Sequence, residues 1–357
     1  MLSVLLTNAT NSNEVWELPA DQLTINEELN AVRTGQISVN YQDVQQMALT
    51  IGTSINYILA GGPRRIVISD SQYDPNPTLF VGVLRDYQFS SNASEPSSVS
   101  LNFADLGLTL AKRVGQAYAF YDNVPAGQIF ASELAAANAV SDTGLTVASL
   151  PTTTSRQRTI EYTNLLDLLM GMSNSKTKDG FDWAVDNNGD VNIYQPTRGG
   201  QQTNLVLEAR NSLQPQVAGK LSGNLCNKVF VQGGEQTNES GEVTQAALMV
   251  IVEDTTSQAT WGLHEEYLSA TDITTEAFLR QRGQQVLTER AYPTNTETIT
   301  LQHLGDDPDW RAYEVGDWLK VELDAFNIDE MLRVKKRGIT WNNGIYQCNL
   351  TLSREFV

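Results

Sequence analysis

Trp318-Leu319-Lys320-Val321-Glu322-Leu323 sets Leu319, Val321 and Leu323 between polar neighbours, the two-residue period of a half-buried strand. Gly316-Asp317 turns the backbone into it. Residues 331–341 repeat the pattern more loosely. Asn342-Asn343-Gly344 then supplies residues that tolerate positive φ, as a tight hairpin requires, and residues 345–352 return with Tyr346, Cys348, Leu350 and Leu352 on one face. Three consecutive strands are therefore expected over 315–353. Because the sequence stops four residues later at Val357, function is expected in the folded body and not in a tail.

Composition narrows that body. The 357 residues suffice for about two to four domains. Hydrophobic residues make up 41% and the mean hydropathy is -0.28, ordinary for a soluble globular protein. The longest apolar runs, such as 246–252, are too short to cross a bilayer. Met1-Leu2-Ser3-Val4-Leu5-Leu6-Thr7 has no basic leader and no small-residue cleavage pattern, so a first strand is expected there and secretory export is not. Cys226 and Cys348 each lie within a strand-like run, where lone cysteines serve as small core residues; a bridge between them is the alternative.

Forty-two acidic residues face 24 basic ones, a formal net charge of -18 with no long block of either sign. A spread acidic excess argues against a surface that grips DNA or anionic lipid. It suits a surface that nucleic acid passes without sticking, and it serves solubility equally well.

Working outward, the first hundred residues read as strands at 15–18, 22–26, 35–41, 65–69, 79–90 and 97–103, with a short helix at 44–51. Gly61-Gly62-Pro63 and Asp74-Pro75-Asn76-Pro77 punctuate them, and 105–113 reads as a short helix at the edge. Many short strands with such breaks suggest a barrel or sandwich. From 117 the pattern turns helical: 127–139 is rich in Ala, and a Ser/Thr-rich connector follows over 141–155. Thr163 is the expected N-cap of a helix carrying Leu165, Leu168, Leu169 and Met172 on one face. Asn187-Asn188-Gly189 marks a hairpin between 181–185 and 190–194, and Arg198-Gly199-Gly200-Gln201-Gln202 leaves this unit. Strands resume at 204–208, 228–232 and 245–253, a polar loop covers 233–241, and a helix over 274–290 stops at Pro293. Strands over 296–302 lead into the closing set.

This succession resembles the hub proteins of phage tails, the family of baseplate hubs and of the N-terminal hub region of tail-tip proteins. The residues that carry it are Tyr162-Thr163-Asn164-Leu165-Leu166-Asp167-Leu168-Leu169, Phe181-Asp182-Trp183 and Asp186-Asn187-Asn188-Gly189. Trp261-Gly262-Leu263 before the Phe278 helix and Val315-Gly316-Asp317 before the final hairpin complete the set. The resemblance implies a mainly β fold with α+β parts: two tube-like antiparallel β-barrels plus two small α/β domains. On this chain the barrels fall at 1–118 and at 201–235 joined with 296–357, and the α/β domains at 119–200 and 236–295. It further implies a homotrimer whose six similar units abut a sixfold distal tail or tail tube ring on one face. The other face would meet a tip fibre, spike or cap protein, with DNA passing through and no membrane anchor, at the tail tip of a virion assembled in the host cytoplasm.

Enzyme chemistry finds little to stand on. His264 and His303 are the two histidines, and neither zinc spacing, a Gly-x-Ser-x-Gly elbow nor a phosphate-binding loop occurs. Asp186-Asn187-Asn188-Gly189-Asp190 lacks the spaced acids and closing Glu of a calcium loop and reads as a turn. Gly305-Asp306-Asp307-Pro308-Asp309 has loop composition. Glu265 and Glu266 as strand neighbours point to opposite faces, a poor start for paired-carboxylate hydrolysis. Lys335-Lys336-Arg337 reads as solvated or as an intersubunit contact, and Trp183, Trp261, Trp318 and Trp341 as core or strand-edge packing. No catalytic, cofactor-binding or metal-ligating residue is assigned, and no cofactor is expected. A non-enzymatic virion protein is the leading expectation, with a receptor- or carbohydrate-binding β-protein as the rival and a hydrolase third.

Overall fold

The computed structural model describes residues 2–9, 11–92, 95–173, 180–208, 212–220, 225–237, 243–292, 296–304, 309–342 and 344–353. The chain is mainly β with helices, and thirteen strands form one sheet. Its path runs Ser212–Lys220, Thr296–Leu304, Ile345–Ser353, Ile328–Asn342, Ala20–Glu28, Thr34–Asn40, Glu95–Asp105, Thr78–Asn92, Arg64–Asp70, Leu2–Asn8 and Asn11–Leu18. Trp318–Leu323 pairs with Ile328–Asn342 off this path and carries Gln201–Glu208 in parallel on its far edge. The expected closing strands are all present. Asn342 pairs with Ile345 and Gly344 has φ +84°, as the tight turn demands, while Asn343 lies outside the described residues.

Ile328–Asn342 explains why strands from both ends of the sequence share one sheet. It is 15 residues long, enough to serve two partners along one edge. Residues 328–333 pair with Trp318–Leu323, residues 336–342 pair with Ala20–Glu28, and the register on the opposite edge shifts between Val334 and Lys336. Two separate closed barrels are not what the hydrogen-bonded ladders draw: no sheet among the described residues closes on itself, and this strand runs the first set of strands into the last. Alternation of apolar residues fixes which face of a strand is buried, but it does not name the partner at either edge.

One hydrophobic cluster serves both halves of this sheet. Leu6, Leu23, Ile37, Ile68, Phe80 and Phe103 from the early strands join Leu319, Val321, Leu332, Leu350 and Leu352 from the late ones. The helices Tyr41–Thr50 and Ile55–Ala60 are capped by the side chains of Asn40 and Ser54, and they add Val44, Ala48, Ile58 and Leu59 to the same cluster.

A second core lies over residues 110–193. Leu165, Leu168, Leu169 and Met172 of the helix Leu165–Ser173 are all buried, as their spacing predicts, and they pack with Ile129, Phe130 and Leu134 of Ala126–Val140. The N-cap falls one residue after the expected Thr163: Asn164 Oδ1 accepts from the backbone N–H of Leu166 at 3.0 Å and Asp167 at 3.2 Å. The Ser/Thr-rich connector contains Thr146–Ser149, which pairs in parallel with Asp190–Tyr194, and Ala119–Pro125 pairs with Ser155–Ile160. Exposed polar residues on short edge strands hide the alternation that would have marked them.

A third core gathers Val229, Val231, Val250, Leu279 and Leu287. Here Lys228–Gly233 lies between Met249–Glu253 and Glu265–Ala270, with the helix Glu276–Arg290 covering one face. Lys228–Gly233, expected beside the late barrel strands, thus pairs in this smaller sheet. The run 245–253 breaks into Val243–Gln245 and Met249–Glu253, and Thr255–Trp261 is a helix that the sequence pattern did not mark.

Candidate functional site

Among the described residues few charged side chains are buried, and Asp105, Asp182 and Arg333 lie where the large sheet meets the second core. Arg33 Nε donates to Asp105 Oδ2 at 3.2 Å, and its backbone N–H reaches the same oxygen at 2.8 Å. Its Nη2 donates to Val185 O at 3.3 Å and Asn187 Oδ1 at 3.0 Å. Asn187 Oδ1 also accepts from the Val81 N–H at 3.2 Å, so a residue of the Asp186–Asp190 turn is held by the strand Thr78–Asn92 and by Arg33 in the loop that enters Thr34–Asn40. The turn itself closes on Asp186 Oδ1, which accepts from the N–H groups of Asn188 and Asp190 at 2.8 and 2.9 Å. No ion is needed to shape it.

Asp182 is the second anchor. Its Oδ1 accepts from Asn30 Nδ2 at 2.8 Å, its Oδ2 accepts from the Arg198 N–H at 2.7 Å, and Arg333 Nη2 donates to that same oxygen. Asn30 returns a bond through its Oδ1 to the Trp183 N–H at 2.8 Å. Arg333 is buried, stacks 4.7 Å from the centre of the Trp318 ring and donates to Gly316 O at 3.1 Å. Asp317 completes the arrangement: its carboxylate accepts from the N–H of Gly200 at 2.8 Å and Glu314 at 2.9 Å, and from Gln202 Nε2 at 3.2 Å. Two glycines make the approach possible. Gly199 sits at φ +89°, and a Cβ there would lie 2.4 Å from the carbonyl carbon of Gly316.

Glu27 and Arg337 form the third anchor across adjacent strands. Arg337 Nε and Nη2 donate to Glu27 Oε2 at 2.6 and 2.5 Å, and Nη1 donates to Trp310 O at 2.9 Å and to Tyr313 O. Burial disfavours ionisation of Glu27, but the Arg337 and Arg33 guanidinium groups outweigh it and hold the carboxyl below its usual range. For Asp105 burial wins against Arg33 and the Arg33 and Gly107 N–H groups, and its carboxyl is pushed up. Every member has geometrically defined partners, so the network ties the large sheet to the second core. Nothing in it presents a nucleophile beside a base.

The residues weighed from sequence scatter. His264 is exposed, with Nε2 3.1 Å from Trp261 O, and His303 lies on Thr296–Leu304 opposite Cys348. Glu265 pairs with Lys228 at 3.3 Å and Glu266 with Arg290 of the covering helix, on opposite faces of their strand as expected. Lys336 is exposed beside Glu28, whereas Arg337 is buried and belongs to the network, a correction to the solvated reading of the basic run. Trp183 and Trp318 are core residues, but Trp261 is 49% exposed at the end of its helix. Residues 305–308 lie outside the described residues. Cys226 and Cys348 are buried free thiols, and among the described residues no cluster of His, Cys, Asp and Glu is placed to hold a metal ion. Among the described residues no helix is long and apolar enough to cross a membrane.

Asp182, Arg333, Arg33 and Asp105 were not singled out as functional from the sequence. The available signal was a charged residue set in a strand between inward apolar ones, as Arg333 stands between Leu332 and Val334.

A mainly β chain with one large sheet and two smaller α/β cores defines a structural class, and known proteins share that fold. Residues 117–353 match the YQBQ-like family, and the chain belongs to that family. A tail protein from Neisseria meningitidis MC58 aligns over 99% of this chain and 97% of its own, with TM-score 0.62 and 15% identity. The 43 kDa tail protein of prophage MuSo2 from Shewanella oneidensis aligns over 99% and 98%, with TM-score 0.61 and 12% identity. The prophage tail protein gp18 from Listeria monocytogenes aligns over 99% and 94%, with TM-score 0.58 and 12% identity. The resemblance to phage tail proteins read from the sequence thus holds in the fold. A search of curated proteins finds no match.

Proposed function

We propose that this chain is a non-enzymatic virion protein, a hub at the distal end of a phage tail that joins the tail tube to the tip. One observation carries the reading: the whole chain, and nearly the whole of each tail protein it resembles, follow one fold. A component of the type VI secretion system from Escherichia coli, described as structurally similar to the T4 tail proteins gp27 and gp5, shares that fold at TM-score 0.55. The network of Asp182, Arg333, Arg33 and Glu27 supports a passive mechanical role, since it fixes the second core against the large sheet and offers no reacting group.

In this reading the chain is a homotrimer. Two tube-like units, at 1–118 and at 201–235 with 296–357, are repeated three times to meet a sixfold tail ring; a fibre, spike or cap protein binds the opposite face. Residues 119–200 and 236–295 are the small α/β domains, the latter taking Lys228–Gly233 into its sheet. The excess of 42 acidic over 24 basic residues supports a channel wall that repels phosphate. Deleting the gene and imaging the particles tests the assignment: tails lacking the tip, restored by the chain supplied in trans, are expected. Complete, infectious tails without it would overturn the proposal.

A further inference from the structure

A cleft of about 110 Å³ opens between the second and third cores. Arg156, Arg158 and Arg282 line it with a single carboxylate, Asp272, and Met172 and Phe278 supply apolar wall. Arg158 and Asp272 are 3.4 Å apart with both side chains 31% exposed, and Arg282 is exposed. This is a cationic recess on a chain whose net charge is -18. Fixed positive charge with no excess of nearby acid recruits an anionic group.

The same chain carries a complementary projection. Trp318–Leu323 and Ile328–Asn342 are joined by a 3-10 turn at Asp324–Phe326, and Asn327 closes it in the left-handed conformation at φ 54°. Phe326 at its tip is 43% exposed, with Glu322, Asp324 and Asp329 exposed around it and Lys320 bound to Asp329 as the nearby cation. The turn is short and its backbone geometry defined, so little order must be gained on docking.

We propose that the acidic, Phe326-tipped turn of one copy of this chain docks in the arginine-lined cleft of the next. The aromatic ring meets Phe278 and Met172, the carboxylate of Asp324 meets Arg282, and that of Glu322 meets Arg156. Two different patches joined head to tail form a heterologous contact, which generates a ring when the rotation closes. The inference rests on the trimer reading above and names the contact that would set its register. Opposite charges across such a contact speed encounter and reject misaligned copies.

The full-length chain is purified, and its self-association is measured by sedimentation over a range of concentration and salt. Arg282→Glu and Asp324→Arg, both at exposed positions, are each expected to weaken association about tenfold or more with unchanged circular dichroism, and salt is expected to weaken the parent chain. Combining the two reversals is expected to restore it. Association that ignores both reversals overturns the pairing, as does a double variant no better than either single one. A parent chain that stays monomeric would assign the cleft to a different acidic partner and likewise overturn it. Loss of the tail-tip assignment would instead show in the particles of the gene-deletion experiment, whatever the sedimentation result.

Discussion

Arg337 donates to Glu27 at 2.6 Å although 310 positions separate them in sequence, and this ion pair lies where the last strands of the chain join the first. Both side chains are largely buried. Removing one partner from such a pair strands the other charge in a place water does not reach. Glu27→Gln or Arg337→Met is therefore expected to cost about 3–5 kcal/mol in urea unfolding at pH 7.

The pair also carries a pH signature. Glu27 is more acidic in the folded chain than in the unfolded one, so its stabilisation is fully present above the unfolded value near 4.5 and is lost as pH falls through the folded value. The difference in stability between parent and Glu27→Gln is expected to be largest at neutral pH and to shrink with acidification below about 4.5. A gap that widens toward pH 3 would contradict the sign.

Asp182 links Asn30, Arg198 and Arg333 from three separate stretches of chain. Asp182→Ala is expected to lower stability by about 3–5 kcal/mol and to let the core over 110–193 exchange amide hydrogens independently of the large sheet. Hydrogen exchange read by mass spectrometry distinguishes this from uniform loosening, which would argue against a positioning role.

Leu168 is fully buried between the two helices of the second core. Leu168→Ala leaves a cavity that neighbouring rings fill poorly, and a loss of about 2–5 kcal/mol is expected in thermal or urea unfolding. A change below about 1 kcal/mol would mean that the helix does not pack as described.

Burial pushes the Cys348 thiol up to about 11, and Cys226 is shifted the same way. Neither offers much thiolate at pH 8. Labelling of the native chain by an aromatic disulfide reagent is expected to be slow and to become complete for two thiols in urea. Rapid native labelling would place one of them at the surface.

The elements were largely legible and their partners were not. Leu319, Val321 and Leu323 announce a strand, and Leu165, Leu168, Leu169 and Met172 a helix, because burial of one face imposes its period on the sequence. Nothing in that period says that Lys336 and Arg337 lie beside Glu28 and Glu27, so the joining of early and late strands in one sheet was invisible. The polar network was hidden for a related reason. Arg333 and Asp182 are isolated charges whose meaning depends on a contact 151 positions away. Asn187 was read correctly as part of a turn, yet its hold on Arg33 and Val81 is tertiary. Thr255–Trp261 escaped because a seven-residue helix with one buried side chain, Ser257, carries almost no pattern.

A reconstruction of the intact tail tip tests the central claim most directly. The account predicts three copies of this chain in a threefold ring beneath a sixfold tail ring, with the Asp182–Arg333 network intact inside each copy. Six copies in sixfold symmetry, or a tip from which the chain is absent, would contradict it.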